Sequence, residues 1–202
     1  MPITQAEASA VFSRVEQALF RLTKVNGALP RMASSQTPVR RTEIIERMSK
    51  LFNIHRLSPF RAFASHPAIL KALHAILGPD VSCFNSQYIF KNPGVWGQPW
   101  HQDSLYYLFD LMPQVGVWLA TTRATVENGC LFVAPGSHVE PIHPVVPDAR
   151  PGANFGYLEV VDYDYANAVP VLMEPGDVLV FHSFLLHKSN DNVSDERRSA
   201  LV

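Results

Sequence analysis

The segment QVGVWLATTRATVENGCLFVAPGS, residues 114–137, holds two short runs of β-branched and aromatic residues separated by polar residues and glycine. Such runs favour β-strands, because branched and aromatic side chains pack well on a pleated surface. Asn128-Gly129 lies between the runs, and both residue types tolerate the positive φ of a tight hairpin turn. We therefore expect strands over 114–122 and 130–137, joined by a hairpin.

Three further runs of the same kind flank this pair, at residues 81–91, 157–163 and 177–183. Gly, Pro and Asn punctuate them, and Pro175-Gly176-Asp177 predicts another turn. Several short strands at near-regular spacing, without helices between them, are typical of an antiparallel sandwich or barrel.

The first third of the sequence shows helical rather than strand periodicity. Its apolar residues recur at three- and four-residue spacings, which predicts amphipathic helices. The predicted helices cover residues 5–25, Thr42 to about Phe52, and a segment from His66-Pro67 to Gly78-Pro79. We therefore predict one domain over residues 1–202, with a helical layer over 1–79 and a β-core over 80–202.

The composition is that of a globular protein, with 47% hydrophobic and 17% charged residues. A formal net charge of −1 argues against a nucleic-acid surface, which needs concentrated positive charge. No apolar run is long enough to predict a membrane span, and no secretory signal opens the chain. Cys83 and Cys130 lie in apolar contexts, so we expect buried thiols in a reduced compartment and a cytoplasmic protein. The sequence indicates no oligomeric state.

His101 and Asp103 lie two residues apart in WHQDSLYY, residues 100–107. This triplet alone is common by chance, but residues two apart on a strand face the same way and can bind one metal ion. Non-haem Fe(II) oxygenases use two imidazoles and one carboxylate on one face of an octahedron. The third ligand must then come from a distant strand, and FHSFLLHKS offers His182 and His187.

Arg198 follows His187 by eleven residues. A guanidinium group matches a carboxylate bidentately, so an inward-facing arginine would suit the distal carboxylate of 2-oxoglutarate. In the alternative interpretation, Arg197 and Arg198 lie on the surface and their charges balance those of Asp195 and Glu196. The residues alone leave both interpretations open.

Three segments carry a resemblance to a known family: SQYIFKNP…WHQDSLYY, VGVWLATTRATVENGCLFVAPGSH and EPGDVLVFHSFLLHKSNDNVSDERRSA. In order and spacing they closely resemble the phytanoyl-CoA dioxygenase family of Fe(II)/2-oxoglutarate oxygenases, over roughly residues 80–202. The resemblance implies a mainly β fold, a double-stranded β-helix (jelly-roll, cupin-like) core with N-terminal α-helices packed on it. It also implies Fe(II) as cofactor, with 2-oxoglutarate and O2 as co-substrates.

Residue by residue, the resemblance implies that His101, Asp103 and His187 bind the iron. His182 is the competing third ligand, but its distance to Arg198 would break the family spacing. The halogenating relatives in the family carry a small residue in place of the carboxylate. Asp103 therefore favours hydroxylation.

The resemblance also implies a co-substrate pocket. Arg198 would form a salt bridge with the C5 carboxylate of 2-oxoglutarate, Ser189 would donate a hydrogen bond to it, and Trp118 and Gln87 would lie beside the co-substrate. Family members usually continue beyond the position of Val202, so we expect a fragment or a shortened member with an abbreviated last strand.

These observations together predict an Fe(II)/2-oxoglutarate-dependent dioxygenase that hydroxylates an unactivated C–H bond of a small organic substrate and releases succinate and CO2. The alternative is a non-catalytic jelly-roll protein that binds a metal or a small ligand. A zinc hydrolase fits less well, because no general base accompanies the ligands and Arg198 would have no role. Tyr106, Tyr107 and Phe109 follow the H-x-D motif, and their types suit a substrate pocket and core packing equally.

Overall fold

Short antiparallel strands make up most of the regular structure in the computed structural model, which describes residues 49–107, 113–150 and 156–202. The strands are β1 (Lys50–Phe52), β2 (Gln87–Lys91), β3 (Val115–Ala120), β4 (Leu131–Val133), β5 (Val146–Pro147), β6 (Leu158–Glu159), β7 (Val169–Val171), β8 (Val178–His182), β9 (His187–Ser189) and β10 (Arg198–Leu201). The helices are α1 (Ser58–Ala64) and α2 (Pro67–Leu77), with single 3-10 turns at Ile54–Arg56, Asp103–Leu105 and Ser137–Val139.

The strands pair in two main sheets. One sheet has the order β1-β2-β10-β3-β8 and the other the order β7-β4-β9, while β5 and β6 form a separate pair. β10 lies between β2 and β3 and is antiparallel to both. An isolated bridge pairs His101 with His187, which places the H-x-D segment beside β9. This mainly β architecture with N-terminal helices confirms the predicted fold class.

Apolar clusters join the layers of the fold. In the first, Phe60 of α1 and Leu73 of α2 pack with Phe90 of β2 and with Leu201 of β10, which seats the helices on the five-stranded sheet. The second joins the two sheets, and its buried members are Trp118, Ala120, Ala124, Cys130, Leu131, Met173, Phe181 and Ala200. Burial of apolar area on this scale is the main favourable term in the folding free energy.

Helix α2 matches the predicted helix and shows why its ends lie where they do. Pro67 occupies the first helical position, where its missing N–H costs no hydrogen bond, and the His66 side chain accepts a hydrogen bond from the Ala68 N–H at 3.2 Å. Gly78 then leaves the helix with φ 86°, a conformation that glycine adopts readily.

The predicted second helix is wrong over its last residues. Residues 50–52 form strand β1, which pairs with β2 through Lys50 and Ile89 at one end and Phe52 and Gln87 at the other. The edge of β2 offers backbone hydrogen bonds to residues 50–52. Such pairing with a distant strand does not follow from the local helical pattern, and here it overrides the helix propensity of these residues. The rest of that helix (42–49) and the whole predicted helix over 5–25 lie outside the described residues or outside regular structure.

The predicted hairpin is also wrong, although the turn itself is present. Gly129 has φ 81°, and the Asn128 side chain accepts a hydrogen bond from the Thr125 N–H at 2.8 Å and donates one to the Arg123 carbonyl at 3.0 Å. The strands on either side, β3 and β4, belong to different sheets. The turn therefore carries the chain from one sheet to the other, and the two runs it separates never pair.

Other predicted features are present but differ in length or exposure. The strands predicted over 81–91 and 157–163 shorten to β2 and β6, and the turn at Pro175-Gly176-Asp177 forms, with φ 101° at Gly176. Cys130 is buried as expected, whereas Cys83 is exposed. Within the described residues, no helix has the length and hydropathy that crossing a membrane requires.

Replacing Asn128 by alanine should destabilise the fold. Asn128 is only 2% exposed, and its side chain hydrogen-bonds the Thr125 N–H and the Arg123 carbonyl, which would both lose this partner in the variant. We expect the free energy of unfolding to fall by about 1–3 kcal/mol, measured by urea denaturation. Asn167→Ala, at an exposed position, is the matched control and should change it by less than about 0.5 kcal/mol. If the two substitutions lowered the free energy of unfolding equally, the Asn128 side chain would not stabilise the turn.

Candidate metal centre and co-substrate pocket

The backbone brings His101 and His187 together. Each residue donates its N–H to the carbonyl of the other at 3.0 Å, the reciprocal pattern of a hydrogen-bonded antiparallel pair. Residues directly opposite each other in such a pair project their side chains from the same face, and the two imidazole rings lie with centroids 4.2 Å apart. Two histidines from opposite ends of the β-core thereby form one site.

Asp103 adds a carboxylate to this pair. Its Oδ1 lies 3.6 Å from Nε2 of His101 and 3.7 Å from Nε2 of His187. One ligand atom from each of the three residues lies within 4.8 Å of the others, which suits coordination of one metal ion. Asp103 is the first residue of a 3-10 turn. A hydrogen bond from the Ser104 hydroxyl to the Ser183 hydroxyl, at 2.7 Å, holds this turn in place.

Hydrogen bonds behind the rings orient both histidines in the same way. Nδ1 of His101 contacts the Pro99 carbonyl at 2.7 Å, and Nδ1 of His187 contacts the Leu185 carbonyl at 2.8 Å. Because a carbonyl only accepts, each Nδ1 carries the proton and each Nε2 turns its lone pair toward Asp103. Metal-binding histidines typically have this second hydrogen bond, so the donor set fits a divalent metal such as Fe(II).

Electrostatics favour the protonation states that a metal site needs. Burial, together with the neighbouring His101, lowers the pKa of His187 to about 4, so its ring is neutral at pH 7. Burial alone would raise the pKa of the Asp103 carboxyl, but His187, His101 and Lys50 together lower it below its usual range. A neutral imidazole and an ionised carboxylate are the forms that coordinate metals.

Arg198 lies inside the fold with its charge largely uncompensated. The residue is 2% exposed, and its Nη2 donates to the Gly129 carbonyl at 2.7 Å, while Nε and Nη1 have no hydrogen-bond partner in the described parts of the chain. The guanidinium group stands 5.4 Å from the centre of the Trp118 ring. Burial lowers the pKa of Arg198 to about 10, which leaves it charged at neutral pH.

The burial of Arg198 excludes the alternative of a surface arginine pair. Its neighbour Arg197 instead donates from Nε to Oδ1 of Asn92 at 2.6 Å and packs over the Phe90 ring. A buried cation with two unpaired N–H groups is unfavourable unless an anion joins it. The orphaned N–H groups of Arg198 therefore fit a carboxylate or another anion bound in the cavity.

One cavity of about 1130 Å³ contains all of the predicted site residues. Its lining includes His101, Asp103, His187, Arg198, Ser189, Trp118 and Gln87. Tyr106 and Tyr107 also line it, and both are hydrogen-bonded to the protein: the Tyr106 hydroxyl accepts from the Leu158 N–H, and that of Tyr107 contacts Asn85 and Gln87. The two tyrosines therefore form part of the cavity wall, and the hydrogen bonds of their hydroxyl groups stabilise it.

His182, the competing third ligand, lies outside the metal cluster. It ends β8, its Nδ1 accepts a hydrogen bond from the Phe184 N–H at 3.0 Å, and its ring approaches His138 with centroids 6.2 Å apart. Within the described residues, the structure gathers only His101, Asp103 and His187 as a possible metal-binding group.

Sequence reasoning did not assign two lysines of the cavity to the metal centre or the co-substrate pocket. Lys50 of β1 donates to the Gln98 side chain at 3.2 Å, and burial lowers its pKa although Asp103 acts to raise it. Lys91 ends β2 directly opposite Arg198 in the sheet register. Lys50 fell in a predicted helix, and only the register of β2 with β10 could have indicated the position of Lys91.

Comparisons with known proteins give the chain a family. The family model described as phytanoyl-CoA dioxygenase (PhyH) matches residues 13–200. Phytanoyl-CoA dioxygenase 1 of Oryza sativa subsp. japonica is 32% identical over 151 residues, which cover 73% of this chain and 53% of that protein. The chain spans about half the length of the curated relatives it matches.

Two solved structures share the fold. The non-haem monooxygenase ThoJ has a TM-score of 0.73 at 27% identity, over 99% of this chain and 69% of that chain. EvdO2 of Micromonospora carbonacea var. aurantiaca, solved in complex with 2-oxoglutarate, has a TM-score of 0.68 at 24% identity, over 100% of this chain and 82% of that chain. With a family match along nearly its whole length, and with the jelly-roll fold and the His-Asp-His cluster in place, the chain belongs to the phytanoyl-CoA dioxygenase family.

Proposed function

We propose that the protein is an Fe(II)- and 2-oxoglutarate-dependent dioxygenase that hydroxylates an unactivated C–H bond of a small organic substrate, with release of succinate and CO2. One observation carries the proposal: the cavity that holds the His-Asp-His cluster also holds a buried guanidinium group with two unpaired N–H groups. A metal ion alone would need the first feature but not the second. Family membership, and a structural neighbour solved with 2-oxoglutarate, support the same conclusion.

The metal would be held by Nε2 of His101, Nε2 of His187 and a carboxylate oxygen of Asp103. Bound iron, with 2-oxoglutarate and O2, supplies the oxidising chemistry. The chain contributes geometry: the backbone bridge fixes the two rings, and the 3-10 turn fixes the carboxylate. Three protein ligands would leave coordination positions of the metal to the co-substrate and oxygen.

The co-substrate would bind between the metal and β10. Arg198 would pair with its distal carboxylate through the two orphaned N–H groups, and the Ser189 hydroxyl would donate a hydrogen bond to the same carboxylate. The Trp118 ring packs against the guanidinium group and limits its movement. Gln87, held near the Tyr107 hydroxyl at 3.4 Å, would form the side wall.

The substrate would enter from the side of the helices. There the cavity is lined mainly by apolar side chains, among them Phe60, Ile69 and Leu73, while the centroid of the Tyr106 ring lies 5.9 Å from that of the His101 ring. Apolar walls exclude water and hold a C–H bond near the reacting centre. The carboxylate of Asp103 fills the position that is a small residue in halogenating relatives, which favours hydroxylation.

His101→Ala should abolish specific metal binding and turnover. Loss of one of three ligands should weaken Fe(II) binding by more than about a hundredfold, because even supporting residues behind a metal ligand typically contribute ten- to hundredfold. Affinity is measured by anaerobic calorimetry, and activity by succinate release from 2-oxoglutarate under air.

His182→Ala is the matched control for this experiment, since His182 lies outside the cluster, and it should retain metal affinity. Full succinate release by the His101→Ala protein would refute the ligand assignment. If the wild type bound iron and 2-oxoglutarate but formed no succinate with any substrate tested, the alternative of a non-catalytic binding protein would be favoured.

Arg198→Met should separate function from stability. Removing a buried charge that lacks an anionic partner should leave the free energy of unfolding unchanged or raise it, because methionine fills similar volume without the cost of burying charge. Binding of 2-oxoglutarate to the metal-loaded protein should weaken by about 2–5 kcal/mol. Thermal unfolding and calorimetry measure the two quantities.

Arg197→Met, next in the chain and directed away from the cavity, serves as the control and should leave 2-oxoglutarate binding intact. If Arg198→Met strongly destabilised the protein while co-substrate affinity stayed the same, Arg198 would be a structural residue.

A further inference from the structure

Lys91 and Arg198 form a pair of buried basic side chains at the end of the cavity. The two residues are direct cross-strand neighbours, and Lys91 is only 4% exposed. The Gly129 carbonyl accepts from Arg198 Nη2 at 2.7 Å and from Lys91 Nζ at 3.4 Å, so both side chains share one acceptor. Across the described ranges, no carboxylate forms an ion pair with either of them.

The other contacts of Lys91 fix the Ser189 hydroxyl. Nζ of Lys91 donates to Ser189 Oγ at 2.8 Å and to the Asn190 carbonyl, while the Gln98 N–H donates to the same Ser189 Oγ at 3.2 Å. A hydroxyl oxygen has two acceptor positions and one proton. When Lys91 is an ammonium group, both acceptor positions are filled and the hydroxyl proton is free for a third partner in the cavity.

A neutral Lys91 would reverse this arrangement. An amine has two N–H donors and one lone pair, so with the Asn190 and Gly129 carbonyls as acceptors the lone pair faces Ser189 Oγ. The Ser189 hydroxyl then donates to Lys91 and is withdrawn from the cavity. The protonation state of Lys91 thus decides whether Ser189 can donate to a bound anion.

The surroundings of Lys91 favour the neutral form in the free protein. Burial lowers the pKa of Lys91 to about 6, and the Arg198 charge and, more weakly, Lys50 act in the same direction. Asp191 and Cys130 oppose this with smaller effects. An added negative charge beside Arg198 would shift the balance toward the ammonium form.

We propose that Lys91 is a positioning residue that couples co-substrate binding to proton uptake: as the distal carboxylate of a dicarboxylic 2-oxo acid pairs with Arg198, Lys91 takes one proton from solvent and the Ser189 hydroxyl turns to donate to that carboxylate. The proton is bound at Nζ, and no other bond forms or breaks. This inference rests on the proposed function, since it concerns the same pocket.

Proton uptake by the wild type is the first test. Calorimetric titration of the anaerobic Fe(II)-loaded protein with 2-oxoglutarate, in buffers of different ionisation enthalpy near pH 7.5, yields the protons taken up per site. We expect close to one, with the number falling toward zero as the pH drops below about 6, where Lys91 is already charged. Binding without uptake overturns the inference alone, whereas no binding at all overturns the proposed function as well.

Variants assign the proton to Lys91 and test the route through Ser189. Lys91→Met should abolish the uptake and weaken 2-oxoglutarate binding about ten- to hundredfold, while Fe(II) affinity at the untouched cluster stays as in the wild type. Lys71→Met, on the exposed side of α2, is the matched control and should retain both uptake and affinity. Uptake that persists in Lys91→Met overturns the inference.

A double-mutant cycle completes the design. Ser189→Ala should itself weaken 2-oxoglutarate binding, and adding Lys91→Met to Ser189→Ala should then cost much less than it does in the wild type. A merely structural lysine would give independent, additive effects, and that result overturns the positioning role. Should Lys91→Met fail to fold, the pH dependence of wild-type uptake still decides whether a group that titrates near pH 6 takes up the proton.

Discussion

Two backbone hydrogen bonds between His101 and His187 are the constraint on which the site depends. In a hydrogen-bonded antiparallel pair the Cα atoms are held about 5.5 Å apart with both side chains on one face. The backbone alone therefore brings the two imidazole rings together. The Asp103 turn and the hydrogen bonds behind each ring only refine what the pairing has already fixed. Preorganisation of this kind keeps the donor atoms close together before any ion arrives.

The opposite end of the cavity follows a different principle, since there the fold tolerates an unfavourable arrangement. A guanidinium group and a lysine are buried side by side with carbonyl and hydroxyl partners instead of acids. Burying charge without a counter-charge is costly, and the apolar clusters around Trp118 and Phe90 must offset that cost. Stability is thus reduced at one place where it can be recovered by binding an anion, which is a common arrangement at functional sites.

Much of this could be predicted from sequence because the deciding features are local. Helix α2 has its proline and glycine at the ends and the strands follow β-branched runs, while His101, Asp103, His187 and Arg198 stand at the spacings of the family that the sequence resembles. The errors arise where a distant partner decides the outcome. Strand β1 exists because β2 has an open edge, the Asn128-Gly129 turn changes sheets instead of closing a hairpin, and Lys50 and Lys91 reach the cavity through strand register. Pattern and propensity carry no information on register.

The position of β10 has a consequence for how the molecule is made. This strand lies between β2 and β3, so the five-stranded sheet stays divided into two parts until residues 198–201 are available. A chain still leaving the ribosome can form α2 from local contacts and can pair β1 with β2, but it cannot join them to β3 and β8 before β10 is available. Contacts between residues so far apart in sequence form late and make folding slow. The step that unites the sheet also places Arg198, so the protein acquires its architecture and the cation of its pocket in one event.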